Sequence, residues 1–359
     1  MIRTLRLENY RGFKEYELRD LARVNLLVGP NDCGKTSVIE AVELLASRGD
    51  PQVLVESMRR RGESHITSDG RGSPQYSAYR LFHGHGIGPG SRLSISSDDG
   101  LGRVRIEVVE GWQGKSPELF DVSEAGLPPL ALLIRRGSEK ENLKYPLTPD
   151  GALAWNRSVL MRPPRSWQLA SPPTQFVTAE SLRPRDMAAL WDQVLVAGRE
   201  SEVVNALRIL QPDLDSIHFL TGDAAGRAGG IVLAFKAGSP RAPIAGHGDG
   251  MRRLLAVSLS LVRAAGGFLL IDEIDTGLHW TVMEEMWKLV VSAAIESSIQ
   301  VFATTHSLDC IIGLASLLRD RPDLAEAVSV QKIERRLDHG VSFGWEDIVT
   351  AADLSIELR

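Results

Sequence analysis

Long apolar runs are absent from this 359-residue chain: none reaches the length a bilayer-spanning helix needs. A helical membrane protein is excluded. An excess of positive charge is absent too. The 41 Lys and Arg face 46 Asp and Glu, a formal net charge of -5, so any contact with nucleic acid has to come from a local basic patch or from a partner. Cysteine is scarce, with Cys33 and Cys310 alone, which excludes a disulfide-stapled scaffold and fits a reducing compartment. The opening stretch, MIRTLRLENYRGF, alternates charge and bulk without a signal-peptide core, so the expected location is cytoplasmic. No heptad pattern is sustained and no internal repeat is found. The remaining composition, 43% hydrophobic and 24% charged, is that of a globular protein of one large domain or two smaller ones.

What the chain has is a glycine loop between two structured segments. Residues 29–37 read GPNDCGKTS, with the spacing G-x-x-x-x-G-K-T, and follow the apolar run Val24–Val28. Beyond them Val38, Ile39, Val42 and Leu45 recur at helical spacing, predicting a helix that starts near Lys35 and fades over 47–49. A buried strand, a glycine turn and a helix N-terminus make a phosphate cradle. Gly29 and Gly34 permit turns that aim successive N–H groups inward, and the helix dipole adds positive potential. The candidate nucleotide-binding segment is therefore Gly29, Pro30, Asn31, Asp32, Cys33, Gly34, Lys35, Thr36 and Ser37. Lys35 is placed for the β- and γ-phosphates of ATP, and Thr36 offers its hydroxyl to Mg²⁺.

Two later strands end in polar groups. In GGFLLIDEIDTGLH the apolar residues Phe268–Ile271 precede Asp272 and Glu273. Asp272 suits Mg²⁺ binding through water, and Glu273 suits a general base that polarises an attacking water. The plainer alternative is an acidic cap on a strand end, which leaves a charge pair directly after a buried run without a reason. Roughly thirty residues later FATTHS finishes near His306, placed for a hydrogen bond to the γ-phosphate. A lone histidine is more often structural; third in this order, it joins the site.

Helices and strands alternate from residue 250 onward, predicting an α/β fold with a largely parallel sheet. The order is helix RRLLAVSLSLVRAA, strand GFLLIDE, helix TVMEEMWKLVVSAA and strand IQVFATTHS, then a helix, a strand and a short tail. Upstream, TLRLENYRGF, YELRDLARVNLLVG, TQFVTAES, SIHFL and GIVLAFK read as strands. Leu190, Val194, Val203, Leu207 and Leu210 mark one or two helices. The Gly-, Pro- and Ser-rich stretch 50–173 reads as an inserted subdomain of long loops with two short strands, SRLSIS and RVRIEVV.

The loop, the D-E strand and the T-T-H-S strand, in that order, resemble the ABC-type ATPases. That superfamily holds the structural-maintenance-of-chromosomes (SMC) proteins, RecF-type repair proteins and the overcoming-lysogenisation-defect (OLD) nucleases. IRTLRLENYRGF is similar to their opening strands, and DEIDTGLH followed by a helix is most similar to the OLD-like branch. The resemblance covers 1–47 and about 175–359. It implies a single P-loop NTPase head of ABC-ATPase type over 1–359, with a mostly parallel core sheet and an antiparallel β subdomain. The 50–173 insert would then be a partner dock or lid.

The resemblance also implies that two heads close on ATP, giving a homodimer or higher oligomer. A signature segment of each head would cap the nucleotide of the other. GHGDGMRRLLAV occupies that place, with Gly248 where the family's serine stands, Asp249 where a glycine stands, Gly250 beside them, and Arg252 or Arg253 as a source of positive charge. The family's L-S-G-G-E is missing, which bears on how strongly ATP drives dimerisation, and an ordinary glycine turn before a helix is the plainer reading. Asp275 is implied at the opposite head; a helix cap by Asp275 or Thr276 explains it equally. Gln168 and Gln175 are candidates for the family's lid glutamine.

OLD nucleases carry a C-terminal toprim domain, and the roughly fifty residues after His306 are too few for one. The expectation is an ATP-hydrolysing sensor or scaffold in anti-phage defence, working with a separate nuclease or toxin effector. Direct DNA binding stays open and no membrane is involved. The rivals are a RecF-like ATP-dependent DNA clamp, which the acidity and DTGLHW suit less, and a scaffold that scarcely hydrolyses.

Smaller features are weaker. SMRRRGE, 57–63, could touch DNA phosphates, though a solvated helix end explains it better. His83 and His85 lack further metal ligands nearby. Trp280 and Trp287 suit core or interface, and Cys33 could make nucleotide binding sensitive to thiol modification.

Overall fold

The computed structural model describes residues 1–65, 74–111, 130–136, 142–148, 151–154, 171–220, 230–236 and 240–354. Gln168 lies outside them. In chain order the strands are β1 Leu5–Tyr10, β2 Phe13–Leu18, β3 Val24–Val28, β4 Ser64–His65, β5 Gln75–Tyr76, β6 Arg92–Ser97, β7 Arg103–Glu110, β8 Leu130–Arg136 and β9 Asn142–Leu147. They continue with β10 Leu153–Ala154, β11 Thr174–Val177, β12 Leu214–Phe219, β13 Ile231–Phe235, β14 Ala242–Pro243, β15 Phe268–Ile271, β16 Gln300–Thr304, β17 Val328–Lys332 and β18 Val341–Phe343. The α-helices are α1 Lys35–Ala46, α2 Pro51–Arg60, α3 Pro184–Ala197, α4 Glu200–Leu207, α5 Gly248–Arg263, α6 Met283–Glu296, α7 Leu308–Asp320 and α8 Trp345–Asp353.

The core sheet runs β11–β15–β16–β3–β17–β18 and is parallel except for β18. β3, β15 and β16 are buried along their whole length, as parallel strands covered on both faces must be, and this is why they read as largely apolar runs, broken only by the buried Asn25, Gln300 and Thr304. One face, with Leu26, Ile271 and Val301, packs against Trp287, Leu255 and Leu314. The other, with Leu27, Leu270 and Phe302, packs against Val38 and Val42 of α1. The register sets Ile271 beside Ala303 and Thr304 beside Leu27, so β15, β16 and β3 end side by side. Their carboxyl ends form the crevice where open α/β sheets bind ligands.

A second sheet lies beyond α1. Its nine antiparallel strands run β2–β1–β6–β7–β8–β9–β10–β5–β4. The long loops expected in 50–173 fall largely outside the described residues, but the stretch holds more strands than the two read from the sequence. SRLSIS and RVRIEVV are β6 and β7, but five more strands, β4, β5, β8, β9 and β10, come from the same stretch. The first predicted strand is also split, turning at Arg11 and Gly12 between β1 and β2. Among the described residues after His306 there are two α-helices and two strands rather than one of each. A small sheet, β12–β13–β14, flanks α5. No helix of the described residues is long and apolar enough to cross a membrane.

Candidate active site

Loop 29–34 leaves the end of β3 and turns into α1. Gly29 and Gly34 have φ values of 139° and 108°, conformations closed to residues with a Cβ. Space forbids one as well. A Cβ at Gly29 would lie 2.6 Å from Ile333 O, and one at Gly34 would lie 2.4 Å from the Phe13 ring. Lys35 curls back over the loop, with Nζ donating to Gly29 O at 2.7 Å and Pro30 O at 2.9 Å. Burial holds its ammonium below the usual lysine range. Asp32 faces outward and takes two hydrogen bonds from Arg335 at 3.1 and 3.2 Å. Ser37 Oγ accepts from Arg61, which also binds the buried Glu40.

The ends of β15 and β16 bring the acidic pair to this loop. Thr36 Oγ1 lies 3.3 Å from both Asp272 carboxylate oxygens. Thr304 Oγ1 donates to Asp272 Oδ1 at 2.7 Å and accepts the Glu273 N–H at 2.8 Å. One buried hydroxyl thus ties both carboxylate residues to the neighbouring strand. One step on, Thr305 Oγ1 donates to Asp275 Oδ1 at 2.6 Å. A hydroxyl and a carboxylate, both hard oxygen donors, fit a magnesium ion, which takes oxygen at about 2.0–2.1 Å and keeps several waters. Thr36 and Asp272 can therefore hold Mg²⁺ between them.

His306 completes the group. Its Nδ1 is 3.3 Å from Lys35 Nζ, and its Nε2 is 3.9 Å from Glu273 Oε1. A charged ammonium has no lone pair, so Nδ1 must accept and the ring proton sits on Nε2. Burial, then the charge of Lys35, holds the imidazole below its usual pKa and favours that neutral form. Glu273 and His306 remain 42% and 39% exposed, so this corner opens to an incoming ligand.

Of the residues singled out from the sequence, Gly29, Gly34, Lys35, Thr36, Asp272, Glu273 and His306 converge here. Gly248, Asp249 and Gly250 do not. They open α5 beside the turn after Glu273, where a Cβ at Gly250 would stand 2.7 Å from Gly277 O. Arg252 is spent on Asp249, and Arg253 is buried. The Gln175 side chain binds the carbonyl of its neighbour Phe176 at 3.1 Å. Of the three clustered arginines, only Arg59 makes a solvent-side pair, with Glu56; Arg60 and Arg61 bind Glu43 and Glu40 of α1. Trp287 is core, while Trp280 is 64% exposed. Cys33 and Cys310 are free, buried thiols. Thr304 and Thr305 had no role in the sequence reading, and Arg253 was weighed there only as a source of positive charge for a second head's nucleotide. Hydroxyls at the end of an apolar strand were the available signal for the two threonines.

Two family models match the chain. One, described as "AAA ATPase domain", covers residues 1–68 and so contains the phosphate loop. The other, described as "AAA domain, putative AbiEii toxin, Type IV TA system", covers 181–310 and contains Asp272, Glu273 and His306. A protein named "ATP/GTP phosphatase" from Helicobacter pylori is 19% identical over 351 residues, 89% of each chain. An uncharacterised protein of Methanocaldococcus jannaschii is 38% identical over 47 residues, 13% of this chain and 22% of that one. Among solved structures, an SMC head bound to the C-terminal winged-helix domain of ScpA aligns with a TM-score of 0.49 at 14% identity, covering 96% and 98% of the two chains. The SMC head of Thermotoga maritima aligns at 0.42 and 13%, with the same coverage. Strand order, loop and matched ATPase domains together define a P-loop ATPase.

Proposed function

We propose that the chain is an ABC-type ATPase head whose nucleotide state gates a partner. The observation that carries this is the convergence of Lys35, His306, Glu273 and the Thr36–Asp272 pair at one exposed corner. On this reading Lys35 turns from the loop carbonyls to the β- and γ-phosphates. Glu273 accepts a proton from the attacking water, whose oxygen bonds the γ-phosphorus as the bond to the ADP oxygen breaks. His306 donates Nε2–H to the γ-phosphate. Bound Mg²⁺ would neutralise phosphate charge.

The half-exposed Glu273 and His306 fit a site that a second head covers, with the start of α5 facing that head's nucleotide. The output is then an open or closed pair of heads. On this reading the setting is anti-phage defence with a separate effector, in OLD-like fashion; the matched model's description names a putative toxin and a toxin–antitoxin system. Mass photometry with and without ATP, on wild type and Glu273→Gln, tests the gating. ATP-dependent dimers or larger assemblies trapped by the variant are expected. A mass unaffected by ATP in both proteins contradicts gating by closure.

A further inference from the structure

The first turns of α5 carry two adjacent arginines with opposite fates. Arg252 is exposed, whereas Arg253 is only 2% exposed. Its acceptors are carbonyls: Nη1 donates to Thr178 O, and Nη2 donates to both Asp272 O and Glu273 O, all at 2.6 Å. Burying a guanidinium on neutral acceptors is costly, and burial pulls its pKa down to about 10, still charged at neutral pH. The two carbonyls held by Nη2 flank one residue, Glu273, whose φ is +50°. That left-handed conformation is unfavourable for a non-glycine residue and persists only where the surroundings impose it. Thr304 fixes the N–H of Glu273, and Arg253 fixes the peptide groups on either side. Rotation of Glu273 toward the ordinary helical region would swing a carbonyl off the guanidinium and re-aim the carboxylate.

We propose that Arg253 is a positioning residue, holding the Glu273 backbone so that its carboxylate meets the attacking water and carrying displacements of α5 to it. Arg253 also lines a cleft of about 660 Å³ whose other walls include Leu182, Met187, Ile244 and Thr276. The cleft thus touches α5, the small sheet and the turn after Glu273; Arg253 links it to the Glu273 backbone, and Thr276, whose Oγ1 donates to Glu273 Oε2 at 3.1 Å, links it to the carboxylate. The proposal rests on the reading of Glu273 as general base.

The cleft supplies the test, because the space left by Arg253→Ala is open to a small cation. In this variant, turnover at saturating ATP and Mg²⁺ is expected to fall about 100-fold, the usual cost of a misplaced catalytic group. ATP affinity should stay within about threefold, since Arg253 donates to the carbonyls of Thr178, Asp272 and Glu273 and to no residue of the phosphate loop. Methylguanidinium should restore turnover about tenfold or more, and methylammonium should not, because only the former reproduces the planar fork. Unchanged turnover, or a loss that methylguanidinium leaves untouched while ATP still binds, overturns the proposal. Should Arg253→Ala fail to fold, Arg253→Lys replaces it: a roughly tenfold loss of turnover with ATP binding retained supports the proposal, and full turnover overturns it. Glu273→Gln, run alongside, separates the two readings. If it keeps full turnover, the general-base reading fails and the proposal with it. If it is inactive while both Arg253 variants are fully active, the proposal alone fails.

Discussion

Lys35 Nζ and His306 Nδ1 lie 3.3 Å apart across 271 residues of sequence. Two parallel strands side by side, β3 and β16, make the contact. Each ends one step before a polar turn, and the register sets the turns next to one another.

Lys35→Met removes the ammonium and keeps most of the stem. Charge-assisted hydrogen bonds are worth about 1.5–3 kcal/mol each, so ATP affinity should fall about 10- to 150-fold. The fold should survive, because the apolar stem still fills its place. Isothermal titration with ATP and Mg²⁺ measures the loss, and near-wild-type affinity would remove Lys35 from the site.

Thr304→Val keeps the shape and deletes the hydroxyl shared by Asp272 and the Glu273 N–H. Both groups lose a partner at a buried strand end, at a cost of about 1–3 kcal/mol. Turnover should fall about tenfold or more. Thr304→Ser should recover most of both. Thermal melting and phosphate release read the two effects, and equal behaviour of Val and Ser would sink the role given to the hydroxyl.

The imidazole of His306 is held below its unfolded pKa by burial and by Lys35. The folded state therefore favours the neutral ring. The stability this gives is present above the unfolded value, about 6.5, and is lost as pH falls through the lower folded value. Melting temperature should decline below about pH 6.5 in wild type and decline less in His306→Gln. Identical pH profiles for the two proteins would mean that His306 does not titrate as described.

Gly34→Ala meets two separate obstacles, the φ of 108° and the Phe13 ring 2.4 Å from the added carbon. Phe13→Leu should relieve the second and leave the first, so the double variant stays about 1 kcal/mol or more below Phe13→Leu alone. A double-mutant cycle by urea unfolding measures this. Additive losses would show that the ring does not oppose the new methyl.

The phosphate loop and the two polar strand ends were legible because each is a local pattern: glycines at fixed spacing, and acids or hydroxyls directly after a buried run. The nine-stranded sheet was legible only in part: the resemblance implied an antiparallel β subdomain and β6 and β7 read as strands, but β4, β5, β8, β9 and β10 did not. LALLIRR and NLKYPL, β8 and β9, alternate poorly and sit among glycines and prolines, and their pairing depends on partners far along the chain, as when β1 joins β6. Composition there reported turns and hid strands. Arg253 was singled out only as a source of positive charge, and its actual partners were hidden for another reason. Two consecutive arginines look alike in sequence, and only the phase of α5 decides that Arg252 meets water and Arg253 meets the carbonyls behind Asp272 and Glu273. The α5 segment was read as a cap on a second head's nucleotide; within its own chain its contacts run to Gly277 and the acidic turn.

The central claim is that Glu273 activates the water that attacks ATP. Single-turnover phosphate release by Glu273→Gln, with ATP binding measured on the same sample, tests it most directly. The account predicts ATP affinity within about threefold of wild type and release slowed at least about 100-fold, the scale of a lost general base. Release at the wild-type rate, with ATP bound normally, would contradict it.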